Sequence, residues 1–333
     1  MKPWGKLLVL TCWLGYGLTA ARAQTLITSI STSTTDTADT ISEGFTFENT
    51  RISLATFSTA ISTYAATSLA DAAFVRRNTG VGNANQSSLW YANGTAPDML
   101  GTHATNYASL LLDNNISGGS DNTFANGTTA QDGNIERLDF VYSGGLVANS
   151  KLGFAVFERG AVSVHDAFKI AVITGWDSGT NQPTAYGNLV GQAQNWGPTN
   201  VAATFGYTLF RYNNGDNITV NTASTETGSQ GLGGVYFTMA DLGIAPGTTI
   251  YGYSLFGYDV SNGGSSANLL DWNNTTYYPS NTTNATGTGG IDLATINGVA
   301  FTAVPEPQVS ALAGVGLMAG AALWQRRRRH RPY

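Results

Sequence analysis

Three carboxylates beside arginines are the residues of this chain best suited by type to do chemistry. Glu136 and Asp139 flank Arg137 and its neighbour Leu138, and Glu158 precedes Arg159, in two segments where apolar and polar residues alternate. Glycoside hydrolysis needs two such carboxyls a few ångströms apart, one protonated and one ionised. A neighbouring guanidinium instead holds a carboxylate ionised, so the pattern favours structural ion pairs at a sheet edge over an acid–base pair. His165-Asp166 is the adjacent His-Asp pair of the chain, and His103 is the other histidine ahead of the C-terminal tail. Ser254 lies in Gly252-Tyr253-Ser254-Leu255-Phe256-Gly257, which misses the Gly-x-Ser-x-Gly spacing by one residue and sits inside a strand-like run. That context argues against a hydrolase nucleophile. No catalytic residue is assigned, and the chain is read as a non-enzyme, with a glycoside hydrolase as the alternative.

Binding chemistry is better represented. Asp113-Asn114-Asn115, Asp121-Asn122 and Asp132-Gly133-Asn134-Ile135-Glu136 put hard oxygen donors in turns, where extracellular calcium can be held weakly. None follows the EF-hand loop, and Asp and Asn also favour turns because their side chains satisfy nearby backbone groups. The turn explanation is preferred. Calcium at Asp113, Asp121 or Asp132 is the candidate cofactor, and no other is expected. Trp90, Tyr91, Trp176, Trp196, Trp272, Tyr277 and Tyr278 lie in or near Gly- and Asn-rich stretches. Such rings stack on sugar faces or cap a β core with their N–H and O–H groups at its edge. Core packing is slightly preferred, and Trp176, Trp196 and Trp272 are the candidate sugar contacts.

The elements that must position these residues read as strands. In 135–142, Leu138, Phe140 and Tyr142 fall on one face and Arg137, Asp139 and Val141 on the other, the two-residue period of a half-buried strand. Similar runs occupy 152–158, 161–165, 168–174, 203–211, 217–221, 233–239 and 249–258, and 291–301 can close the sheet. Gly- and Asn-bearing turns separate them, and no long amphipathic helix intervenes. The fold class is therefore all-β, an antiparallel β-sandwich or jelly roll. Alanines with Leu69 and Phe74 suggest a short helix within 61–75, residues 78–134 read as loops with short strands, and Leu110-Leu111-Leu112 suits one buried strand or turn. The Thr- and Ser-rich stretch 24–50 reads as an edge strand or as an arm that orders on contact.

Composition narrows the partners. Residues 24–303 hold eight basic and twenty acidic side chains, a formal balance of minus twelve. A body this acidic repels phosphate backbones, so nucleic acid is not an expected partner. The chain's one cysteine, Cys12, lies in the apolar N-terminal run. If that run is removed, the remainder has no thiol for disulfides, thiolate metal sites or nucleophilic attack.

The two ends read as addresses. Lys2 and Lys6 open the chain, an apolar stretch follows at 7–20, and Ala21 and Ala23 are small residues at the positions a signal peptidase reads, so cleavage would leave Gln24 first. Export by the Sec route is expected. Near the other end, Val304-Pro305-Glu306-Pro307 is followed by an uncharged run at 308–325 and then by Arg326, Arg327, Arg328, Arg329 and Arg331. Eighteen helical residues span roughly 27 Å, just enough for a bilayer core, and the arginines would hold the C-terminus on the cytoplasmic side.

This order of motif, span and basic cluster resembles the PEP-CTERM sorting signal of exported bacterial proteins. Stretches of the body (Asn134-Ile135-Glu136-Arg137-Leu138-Asp139-Phe140, Phe154-Ala155-Val156-Phe157-Glu158-Arg159-Gly160, Asp241-Leu242-Gly243-Ile244 and the run 249–259) also resemble a recurrent body of such proteins, whose function is unassigned. The resemblance implies cleavage near Val304 to Pro307 by an exosortase-type membrane protease and a destination at the cell surface or in the extracellular matrix. The expected organisation is a signal peptide at 1–23, a Thr/Ser-rich arm at 24–60, a β-sandwich body at 61–303 and the sorting signal at 304–333, with a transmembrane helix at 308–325. A structural or adhesive role with exopolysaccharide is expected, and a secreted carbohydrate-binding or carbohydrate-active protein is the alternative.

Overall fold

The computed structural model describes residues 25–36, 38, 40–42, 45–47, 50–78, 87–92, 106–126, 134–160, 165–196, 202–212, 227–282 and 289–304. Strands β1 (Thr25–Asp36), β2 (Thr40–Ser42), β3 (Phe45–Phe47), β4 (Thr50–Thr59), β5 (Thr63–Leu69), β6 (Ala72–Arg77) and β7 (Ser87–Ala92) come first. A short helix α1 (Tyr107–Leu111) and β8 (Gly118–Ser120) precede β9 (Ile135–Val147), β10 (Leu152–Gly160) and β11 (Phe168–Asp177). Then come β12 (Gln182–Tyr186), β13 (Val190–Gln192), β14 (Ala202–Tyr212), β15 (Thr227–Thr238), β16 (Thr249–Gly257), a 3-10 turn at Ser266–Leu269 and β17 (Val299–Ala303).

The strands pair antiparallel in two main sheets. One has the order β1-β4-β5-β17-β10-β15-β14-β7-β8, and the other β12-β11-β16-β9-β6 with β13 also on β11. The larger sheet bends back on itself, because Thr25 and Leu26 of β1 pair with Tyr236 and Val235 of β15. Strands β1, β4, β5, β17, β10 and β15 therefore close into a ring, which pairs the start of the β1 edge. Each contributes a buried side chain to one cluster, in turn Ile27, Phe57, Tyr64, Phe301, Phe157 and Tyr236. Their rings meet closely: Phe57 and Phe301 centres are 4.8 Å apart, and Tyr64 and Tyr236 centres 4.2 Å.

A second core joins the two sheets, with Phe154, Val156 and Phe237 from the larger and Leu138, Ile170 and Leu255 from the smaller. Strand β10 serves both cores. Phe154 and Val156 face the shared core, Ala155 and Phe157 face the ring, and all nine residues of the strand are buried. A third cluster, with Val141, Ala171 and Phe256, lies on the outer face of the smaller sheet under the segment 258–282. Gly252, at φ +127°, lets β16 pass against β9, since a Cβ there would overlap the Phe140 carbonyl.

The strand pattern expected for 135–142 is present and runs on to Val147. The expected helix in 61–75 is not: β5 and β6 occupy that stretch, joined at Ala70 and Asp71, because Thr, Tyr and Val side chains gain more by cross-strand pairing than alanine propensity offers. Leu110 and Leu111, expected in one buried strand or turn, are buried at the end of a short helix, with Asn106 and Ser109 making a capping box at its start. Of the stretch expected to close the sheet, Val299–Ala303 is the strand. The Thr/Ser-rich arm is strand throughout Thr25–Asp36, paired to β4 and β15, so it belongs to the larger sheet. Residues 161–164 and 217–221, the N-terminal signal with Ala21, Ala23 and Gln24, and the tail beyond Val304 lie outside the described residues. Among the described residues no helix is long and apolar enough to cross a membrane.

Candidate functional site

Adjacent residues of a strand point to opposite faces, and this decides where the charges go. Arg137 and Asp139, two apart on β9, share the outer face of the smaller sheet and are wholly buried there. Arg137 donates to both Asp139 oxygens, from Nε at 2.7 Å and Nη2 at 3.2 Å. Arg76 of β6 donates from Nε at 2.9 Å, and Ser254 of β16 donates its hydroxyl at 2.6 Å. The other side of Arg137 donates to the Leu269 carbonyl at 2.7 Å, tying the segment over this face to the sheet. Burial opposes the Arg137 charge, but the facing Asp139 carboxylate more than offsets it and raises its pKa above the ordinary value.

Aromatic rings cover this ion cluster and reach the surface. The Trp176 and Phe74 ring centres are 5.5 Å apart. The Arg76 guanidinium lies 4.9 Å from the Phe74 ring centre and 5.3 Å from that of Trp272, giving a row Trp176, Phe74, Arg76, Trp272. All four are half-buried. The Trp272 indole N–H donates to the Arg77 carbonyl at 3.3 Å, fixing the ring. Two of the three candidate sugar contacts therefore converge on one surface. Trp196 does not: it is 4 % exposed, stacks on His165 with centres 4.7 Å apart and donates to the Asp166 carbonyl.

The remaining carboxylates depart from the expected pairing. Arg159 points into the ring and meets Asp121 at 2.5 Å and Asp292 at 2.7 Å, while its neighbour Glu158 points the other way. Glu158 accepts the Asp166 backbone N–H at 3.0 Å and is otherwise enclosed, so burial pushes its pKa well above the carboxylate range. Among the described residues Glu136 likewise pairs with no arginine. Burial pushes it up to about 8, tempered by the Asn126 amide at 3.1 Å. The expectation that adjacent arginines keep Glu136 and Glu158 ionised thus fails on strand geometry, whereas the i, i+2 pair Arg137 and Asp139 satisfies it.

His165 is fully buried with neither ring nitrogen hydrogen-bonded, and burial lowers its pKa. Gly233 makes room for the ring, since a Cβ there would overlap Nε2. His103 and Asp132 lie outside the described residues. The other calcium candidates face guanidinium groups, Asp121 that of Arg159 and Asp113 that of Arg51 at 3.3 Å. Among the described residues no three His, Cys, Asp or Glu side chains converge to hold a metal. An open cleft of about 630 Å³ lies between Gly187–Gly191 and Asn262–Ser266, and no ionisable side chain lines it.

No family model, curated protein or solved structure matches this chain. Trp176 and Trp272 were singled out by composition. Phe74 and Arg76 were not, although their i, i+2 spacing on a strand is the signal that puts them on the same face.

Proposed function

We propose that the chain is an exported bacterial surface or matrix protein that contacts exopolysaccharide through the Trp176, Phe74, Arg76 and Trp272 row, in a structural or adhesive role. The observation that carries the contact is that row: two indoles and a phenyl ring half-exposed on one sheet face, each held by the buried cluster behind it. Aromatic faces pre-fixed in this way bind a pyranose ring without the entropy cost of ordering them. Arg76 and Arg137 share the one Asp139 carboxylate, and Arg76 also donates to the Asn181 carbonyl, so the cluster behind the row keeps one net positive charge and suits a polysaccharide that carries some anionic groups. A secreted carbohydrate-binding protein would use the same surface. The body is proposed as a β-sandwich whose larger sheet also forms the ring.

The proposed route rests on sequence: a Sec signal peptide cut after Ala23, a sorting motif at Val304, Pro305, Glu306 and Pro307, a retention helix at 308–325 and an arginine stop, processed by an exosortase-type protease. Among the described residues the last backbone link is the Val304 N–H to the Thr63 carbonyl at 2.8 Å, made by the first residue of the proposed motif.

Two measurements test this reading. Mass spectrometry of protein taken from native cell surfaces should find a C-terminus near Val304 to Pro307; an intact Tyr333 end would overturn the processing step. Replacing Trp176 and Trp272 by alanine together should weaken retention on the cells' own polysaccharide at least about tenfold, the scale of 1–2 kcal/mol from lost ring contacts. Unchanged retention would remove the proposed contact surface.

A further inference from the structure

Glu136 points away from the Arg137 cluster, to the opposite face of β9, and is 3 % exposed. Among the described residues it receives one hydrogen bond, from Asn126 Nδ2 at 3.1 Å. The same nitrogen donates to the Pro279 carbonyl at 3.2 Å, and that carbonyl also faces the Thr282 hydroxyl at 3.2 Å. Thr282 in turn meets the Asp259 carboxylate. A connected line thus runs from one carboxylate to the other through an amide, a carbonyl and a hydroxyl. It ties the start of β9 to the segment 258–282.

Acceptors outnumber donors along this line. Thr282 has one hydroxyl proton and faces two acceptors, the Pro279 carbonyl and Asp259. Asn126 Oδ1 is buried and accepts no hydrogen bond, in a residue 1 % exposed. Among the described residues neither Glu136 nor Asp259 forms an ion pair. The Lys169 charge bears on Asp259, but its ammonium donates to the Val260 carbonyl at 2.6 Å. The Asp259 charge bears on Glu136 in turn. A water molecule would satisfy Asn126 Oδ1 without offsetting two carboxylates, whereas a hard cation does both.

The geometry points to a calcium site here, held by the Glu136 carboxylate, Asn126 Oδ1 and the Pro279 carbonyl, with Asp259 adding its charge from behind Thr282. The two ends of the Asn126 amide have nearly the same outline. Turned end for end, the amide sets Oδ1 where Nδ2 now lies, between Glu136 and the Pro279 carbonyl. Carboxylate, carboxamide and backbone carbonyl oxygens are the ligand types calcium takes, with water filling the remaining positions. The turn also moves the amide N–H groups to the place Oδ1 leaves, a cost that sets the affinity in the weak range of extracellular sites. A bound ion clamps the segment that carries Trp272 without touching the aromatic row, so the site does not depend on the polysaccharide reading.

In the cation-free protein Glu136 holds its proton up to about 8, so the ion must displace it. The other titratable groups bearing on the site are Asp259, Lys169 and Tyr278, and burial keeps the Tyr278 phenol neutral in this range. Calorimetric titration of calcium into the full-length protein, stripped of metal by a chelator, should show one ion per chain, with a dissociation constant on the order of 0.1–1 mM near pH 7. Binding should release a proton, read as a heat that changes with the ionisation enthalpy of the buffer, and should weaken about tenfold from pH 7 to pH 6. Glu136→Gln keeps the shape of the side chain and an acceptor for Asn126; it should weaken binding at least about tenfold and remove the proton release. A parent that does not bind calcium, binding with no proton release, or a Glu136→Gln variant that binds as the parent does would each overturn the proposal. The proton release is read on the parent alone, so the test does not hang on the folding of a variant.

Discussion

On the outer face of the smaller sheet, Arg137 and Asp139 are buried as ions, with donors and acceptors arranged on every side. Beside the end of β10, Glu158 and His165 are just as buried, yet one is a carboxyl pushed toward its neutral form and the other an imidazole held from protonation. The first cluster keeps charge and supplies partners; the second gives up charge. A paired buried ion is costly to break but ties elements together, whereas a neutralised group tolerates loss of a partner and responds to pH. The aromatic row stands over the first kind, so its rings rest on a foundation of paired, hydrogen-bonded charges.

The sharpest way to break the contrast is Arg137→Ala. It leaves Asp139 buried with Arg76 as its remaining cation, and should cost about 3–5 kcal/mol in denaturant unfolding. Replacing Arg137 and Asp139 together by methionine and leucine should cost much less. Equal costs would mean that pairing is not what holds the cluster. Next in size, Gly233→Ala forces a methyl group into the His165 ring and should destabilise by about 1–3 kcal/mol. In a His165→Ala background most of that loss should vanish, a coupling visible in a double-mutant cycle.

The most selective effect is on pH dependence. The folded state holds the Glu136 proton up to about 8, whereas the unfolded chain releases it near 4.5. Stability from this group is thus fully present below 4.5 and falls as pH rises toward 8, by at most about 1.4 kcal/mol per unit. Glu136→Gln should flatten the unfolding free energy between pH 5 and 8 and leave the variant the more stable form at pH 8. An unchanged slope would mean that Glu136 is ionised in the fold.

Much of the architecture was legible because the residues carry a two-residue period. Leu138, Phe140 and Tyr142 announce β9, and the Gly- and Asn-bearing breaks announce antiparallel neighbours. The ring was not legible. Its closure depends on Thr25 and Leu26 meeting β15 about two hundred residues away, and no local pattern encodes a pairing at that separation. Strand β10 was legible as a strand at 152–158 but its burial on both faces, between two cores, was not, since only the three-dimensional arrangement supplies a core to its second face. At the site, Trp176 and Trp272 were visible as types. Their neighbourhood was not, because Phe74 lies in the stretch 61–75 whose alanines suggested a helix, and Arg76 just beyond it. Trp196 illustrates the reverse error, a loop indole consumed by a histidine core contact.

The place of β17 has a consequence for the order in which the fold can be made. It lies between β5 and β10, in the middle of the larger sheet, yet among the described residues it is the last strand. A chain emerging N-terminus first holds β5 and β10 with a vacant lane between them until Val299–Ala303 arrives. The ring is then closed by the final five paired residues, as a keystone closes an arch. Until that moment nearly three hundred residues stay short of their closed form, and a truncation before Val299 would leave two hydrophobic strands facing an empty register.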